Sequence, residues 1–165
     1  MKFHKLKAGE IAGSYVVDSP VTEADILRMA QQLATSRLAR GRALTEPAQV
    51  FAHLQILLQQ HRHEIFALLL LDSKHRAIGF HEVFRGTLDA ACVYPREVVK
   101  IALEHNAAAA ILVHNHPSGD PQPSQAVLIL TRALKSALAL VGTRTLDHII
   151  VGHEGCASLA QLGHL

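Results

Sequence analysis

The spacing of hydrophobic and polar positions changes character along the chain. Between residues 22 and 41, Ile26, Met29, Ala30 and Leu33 recur at the three- and four-residue spacing of one helix face. Thr22 stands ahead of this stretch with Asp25 three residues on, close to a capping box, and Gly41 is a natural stop. A second helix is predicted over "EPAQVFAHLQILLQQ", with Pro47 in its first turn and Val50, Phe51, Leu54, Leu57 and Leu58 on one face. Residues 1–20 show no period and read as an arm.

After Glu64 the period shortens. "IFALLLLD" is a short apolar run between polar residues, the pattern of a strand buried on both faces. "AIGFHEVF" follows across the hairpin-length "DSKHR" as its antiparallel neighbour, and "LDAACVY" reads as a third strand. "PREVVKIALEHN" opens on Pro95 as a helix. "AAAAILV" then runs into His114 as a central strand. Ser124 caps the long helical pattern "QAVLILTRALKSALALVG", and "TLDHIIVG" is a further strand. This order predicts an α/β sandwich, a mixed sheet flanked by helices, without the Gly-rich turn of a dinucleotide-binding fold.

Composition narrows the class. The longest apolar runs fall well short of the roughly 18–20 residues of a membrane span, and the N-terminus has no secretory hydrophobic stretch. Cys92 and Cys156 form no Cys-x-x-Cys pair and read as small packing residues, so a reducing cytoplasm is expected. A net charge of +2 gives little reason to expect a nucleic-acid partner.

The chemistry gathers in "HNHPSGDPQPSQAV", residues 114–127. Residues i and i+2 of an extended segment point the same way, so His114 and His116 can aim imidazole nitrogens at one point. They follow the apolar run of a central strand, and three prolines stiffen the loop after them. A metal pair and a pair of surface histidines both fit this spacing. "HEIFA" and "HEVFR" return no histidine four residues on, which excludes a zinc protease of the His-Glu-x-x-His type. "HRH" at residues 61–63 reads as a solvated helix end, and Asp147-His148 as a core hydrogen-bonded pair or a support for the site.

"HNHPSGDPQPSQA" resembles the JAMM metal motif in its RadC-like bacterial form: His-x-His-Pro, six residues, Ser, two residues, Asp. The likeness runs from about residue 43 to 165 and takes in "EIFALLLLDSKHRAIGFHEVFRGTLDAACVYPREVV" and "LDHIIVG". It resembles the short form, without a helix-hairpin-helix segment. The resemblance implies an MPN (JAB-type) sandwich of cytidine-deaminase-like architecture over residues 42–165, with residues 1–41 as an N-terminal arm and helix outside it. It implies a zinc-dependent peptidase or isopeptidase acting on a peptide or protein. His114 and His116 would be zinc ligands, Ser124 would hydrogen-bond the tetrahedral intermediate, and Glu64 would be the general base. On the residues alone, Glu64 is a solvated charge at a helix–strand junction and Ser124 a helix N-cap.

The sequence departs from the pattern where the third ligand belongs: Val127 stands in place of Asp. Valine cannot coordinate a metal, so zinc is expected to be weakly held or absent and the activity impaired. Asp120 in the same loop, or Glu64 itself, could substitute only with a shifted loop or loss of the base. The alternatives to an impaired hydrolase are a non-catalytic partner-binding module and a DNA-repair accessory protein.

Overall fold

A computed structural model describes residues 4–38, 41, 44, 47–86 and 93–165. The elements run β1 (Leu6–Ala8), β2 (Tyr15–Val17), α1 (Glu23–Arg37), α2 (Pro47–Leu58), β3 (Glu64–Leu71), β4 (Ala77–Gly86), α3 (Pro95–Glu104), β5 (Ala109–Asn115), α4 (Gln125–Leu140), β6 (Arg144–Val151) and β7 (Cys156–Ser158). Strands β1 and β2 form a small hairpin. The other five form one mixed sheet in the order β4-β3-β5-β6-β7, and only β5 and β6 are parallel. A parallel pair needs a crossover, and α4 supplies it.

Strand β3 shows why the sequence reads as an unbroken apolar run. Ile65, Ala67, Leu69 and Leu71 join Val50, Leu54 and Leu58 of α2 in the core on one face. Phe66, Leu68 and Leu70 join Val98 and Ala102 of α3 and Leu130, Leu134 and Leu138 of α4 on the other. Helices cover both faces, so from Ile65 to Leu71 the side-chain alternation of the strand carries no polar member. The hairpin to β4 closes on Asp72, whose Oδ1 accepts the backbone N–H groups of Lys74 and Arg76 at 2.8 and 2.9 Å.

The two predicted N-terminal helices form. Thr22 and Asp25 make the reciprocal capping box of α1. The helix stops at Leu38, before Gly41, whose positive φ turns the chain so that its N–H reaches the carbonyl of Ala77 at 2.7 Å. The arm is more structured than its sequence suggests. Its hairpin leads into α1 and is tied back to it: His4 Nε2 and Lys5 Nζ meet the two oxygens of Asp25 at 2.6 and 2.8 Å. Three-residue strands are too short to show a period of two, which is why the pattern is silent there. The expected strand over residues 88–94, with Cys92, falls mostly outside the described residues. Strand β7, unanticipated for the same reason as the arm, pairs with β6 at Cys156, Ala157 and Ser158.

One close approach positions the loop after His116. Gly119 has φ +94 and its carbonyl accepts the N–H of His153 at 3.0 Å. A Cβ on Gly152 would lie 2.2 Å from that carbonyl oxygen. The end of β6 can lie against the loop only because residue 152 has no side chain.

Two outcomes follow. Gly152→Ala must push the 117–123 loop off the sheet end and should destabilise the chain by about 1–3 kcal/mol in denaturant unfolding. Deleting residues 1–20 should leave a cooperatively folding protein, whereas Leu38→Ala, in the α2-side core, should lower stability by about 2–4 kcal/mol. Aggregation of the deletion would contradict a dispensable arm, and a silent Leu38→Ala would contradict the packing of Leu38 in the core.

Candidate functional site

The site is built on three neighbouring strands. Phe66 of β3 is the register partner of His114 on β5, and His114 is the register partner of Ile150 on β6. Because strand side chains alternate, Glu64, Phe66, His114 and His148 all belong to the sheet face covered by α3 and α4. The Phe66 ring stacks on His114 at a centroid distance of 6.4 Å and meets the edge of His148 at 5.6 Å.

His114 lies inside β5 rather than beyond its end, and it is 1% exposed. His116 sits just past the strand and is half-buried. Their Nε2 atoms converge to 2.9 Å, as the i, i+2 spacing predicts. The other nitrogen of each ring is held. His116 Nδ1 donates to the carbonyl of Asp120 at 2.7 Å, and His114 Nδ1 is 2.8 Å from His148 Nε2. Beyond His148 the chain continues: its Nδ1 is 2.6 Å from the Thr131 hydroxyl, which donates to the carbonyl of Val127 at 2.7 Å. Burial, reinforced by His148 and then His116, pushes the His114 imidazole far below its ordinary pKa. Burial, with a smaller contribution from His116, brings His148 down to about 3. Burial thus favours the neutral form of both rings.

Ser124 is the N-cap of α4, its hydroxyl accepting the N–H of Val127 at 3.2 Å. Val127 faces inward. It is 6% exposed and clusters with Ile150, the register partner of His114, and Leu159. Asp120 does not turn its carboxylate toward the histidines. Its Oδ1 accepts the N–H of Gln122 at 2.9 Å, and only its carbonyl touches His116.

These donors can be tested against zinc. Two imidazole nitrogens on one tetrahedral zinc would stand about 3.3 Å apart, so a small opening of the 2.9 Å pair would admit the ion. A catalytic zinc also needs a third protein ligand. Val127 cannot be one, and no group of three or more His, Cys, Asp or Glu among the described residues is arranged to hold a metal. The residues present do not complete a catalytic zinc site.

Two supporting residues, Asn115 and Thr131, escape a reading of the sequence. Asn115, 1% exposed between the two histidines, points to the opposite face. Its Oδ1 accepts the N–H of Ile65 at 2.8 Å, and its Nδ2 donates to the carbonyl of His63 at 3.1 Å. The "HRH" turn is thereby clamped to the strand carrying the site. Asp147 and His148 divide their duties. Asp147 accepts from the His148 N–H, Ser158 Oγ and the Ala160 N–H, fastening β7 and the chain after it, while the His148 ring serves His114. Thr131 sits one turn after Val127 on the buried stripe of α4. Its only sequence signal is a hydroxyl among apolar positions. Cys156 donates weakly to the carbonyl of Phe51, and burial raises its thiol to about 11, consistent with packing rather than reactivity.

Comparison with known proteins bears on the same residues. The RadC-like JAB domain matches residues 44–164. A UPF0758 protein of Vibrio cholerae serotype O1 is 52% identical over 143 residues, covering 87% of this chain and 90% of that protein. A second from the same organism is 48% identical over 151 residues, covering 92% and 95%. A UPF0758 protein of Ectopseudomonas mendocina is 52% identical over 138 residues, of which this chain spans only 62%. The mixed five-stranded sheet between two layers of helices is consistent with a JAB fold, and no helix among the described residues is long and apolar enough to cross a membrane. On the family match and these identities, this chain belongs to the RadC-like JAB domain family.

Proposed function

We propose that this chain is an impaired zinc-hydrolase domain, of the peptidase or isopeptidase type, which holds zinc weakly because its third ligand has been replaced by a core residue. The observation that carries the reading is the inward-packed side chain of Val127, at the position where the JAMM pattern calls for aspartate. The rest of the arrangement favours a hydrolytic ancestry. Two imidazoles converge at one point, Ser124 caps the helix that follows their loop, and Glu64 stands two residues before the register partner of His114 on the same face. In this reading His114 and His116 are the residual zinc ligands, Glu64 is the general base and Ser124 the donor to an oxyanion. A carboxylate of this kind would remove a proton from an attacking water, and its reach is a hydrogen bond or one bridging water.

A second reading is a partner-binding module. It is favoured by the way both histidines are already spent on internal hydrogen bonds, which gives them a structural use without a metal. Binding to nucleic acid is a third, separable by its steep loss of affinity as salt is raised.

The experiment compares the natural chain with Val127→Asp. Burying a carboxylate against Ile150 and Leu159 should lower stability by about 2–4 kcal/mol in chelator. Zinc at about a hundredfold over its Kd should return about 2.7 kcal/mol of that loss. Calorimetric titration should show weak or no zinc binding to the natural chain and stoichiometric binding to the variant. Tight stoichiometric zinc in the natural chain would refute the impairment. A variant that gains no zinc would refute the residual ligand geometry and favour the binding module.

A further inference from the structure

We propose that the cavity beside the paired histidines is a carboxylate subsite, in which the Arg62 guanidinium holds an acidic group of a peptide laid past His116. Naming a peptide rests on the hydrolase reading above, but the test needs neither metal nor hydrolysis.

The cavity has a volume of about 560 Å³ and is lined by Gln59, Gln60, His61, Arg62, Pro117 and His153. Three segments remote in sequence make its walls, and each is tied down. The turn after α2 closes as the His61 N–H donates to the carbonyl of Leu58 at 3.1 Å. Asn115 Nδ2 fastens that turn to β5 through the carbonyls of His61 and His63 at 3.4 and 3.1 Å. The His153 N–H donates to the carbonyl of Gly119 at 3.0 Å, and the His153 carbonyl accepts from Gln55 Nε2 of α2 at 3.2 Å. The walls are set before anything binds, so a ligand pays little for ordering them.

The lining selects an anion. A guanidinium, two carboxamide NH2 groups and two imidazoles can all donate into the space, and no carboxylate stands among the described residues that line it. Arg76 and Arg85 each close onto a carboxylate, at 2.7 Å and at 2.8 and 2.9 Å. Among the described residues, none does so with Arg62. The neighbouring acids do not take its place. Glu82 is engaged by Arg85, Glu64 belongs to the other face of the sheet, and Glu154 follows His153 outside the lining.

A carboxylate fits better than a phosphate chain. One guanidinium supplies one fixed positive charge, and its planar fork meets a carboxylate in two parallel hydrogen bonds. A nucleic-acid strand needs further cations along its path, and Arg62 is the single lysine or arginine among the described residues of the lining. Pro117 directly follows His116, so a peptide anchored here by an acidic group continues past the converged imidazoles.

The test is an amide NMR titration of the metal-free full chain in chelator, at about pH 7.5 and fixed ionic strength. The probes are acetyl-Ala-Ala-Glu-Ala-Ala-amide, the same peptide with Gln for Glu, and acetylated penta-alanine with a free C-terminal carboxylate. At least one carboxylate probe should saturate in the millimolar range, with shifts centred on residues 59–62 and 153, and the Gln probe should bind about tenfold more weakly or not at all. Which carboxylate probe binds tells whether a side chain or a chain end is read. Arg62→Gln should weaken that probe about tenfold, and Arg62→Lys should recover only part of the loss, because it restores the charge without the fork. Lys135→Gln, exposed on α4 and outside the cavity, should leave binding unchanged. Equal binding of the Gln probe and both carboxylate probes overturns the proposal, and so does an equal loss in Lys135→Gln and Arg62→Gln. Inorganic phosphate or a single-stranded oligonucleotide that binds more tightly than the peptides, and loses that binding in Arg62→Gln, overturns it in favour of a phosphate site. The comparison of Glu and Gln probes uses the natural chain alone and decides even if a variant fails to fold. If Val127→Asp gains no zinc while a carboxylate probe binds as stated, the hydrolase reading fails and the subsite stands; zinc gained with no carboxylate bound removes the subsite alone.

Discussion

Strand β5 is held on both sides, antiparallel by β3 and parallel by β6, and every group at the site takes its place from those two pairings. Register alone sets Glu64 and His114 on one face and lays Ile150 beside His114. A slip of one residue in either pairing would send its strand's side chains to the opposite face. The slip is resisted from both layers. Leucines of β3 interlock with α2 on one face and with α3 and α4 on the other. Asn115 adds a polar lock, because its side chain reads the backbone of the α2–β3 connection and fits only one register. The apolar core thus supplies the stability and a single amide the alignment.

A row of polar groups inside such a core must be satisfied nearly everywhere, or the sandwich would be more stable without it. Here Thr131, His148 and His114 are almost completely buried, and each has partners at hydrogen-bond distance. Val127 takes part in both: its carbonyl joins the row and its side chain joins the core.

The long elements were legible because each had room to repeat. The buried stripe of α4, Val127, Leu130, Leu134 and Leu138, is written at spacings of three and four. The His-x-His spacing correctly implied convergence of two rings. What the sequence could not show were contacts between distant positions. His148 lies 34 residues from His114 and 17 from Thr131, and neither separation has a local signature. Asn115 was hidden for a different reason. Alternation puts it on the face away from its neighbours, so reading "HNH" as one cluster assigns it to the wrong side. The short strands β1, β2 and β7 were missed because three residues cannot establish a period.

Asp25 has one carboxylate and two structural duties. It closes the capping box of α1 with Thr22, and it holds the arm through His4 and Lys5, the latter being the strongest reason its acidity is raised. The seam between arm and helix is therefore a shared hinge pin. Neutralising that carboxylate frees the hairpin and frays the first helical turn in the same event, so the two segments exchange their amide hydrogens with solvent as one local unit, ahead of the sandwich.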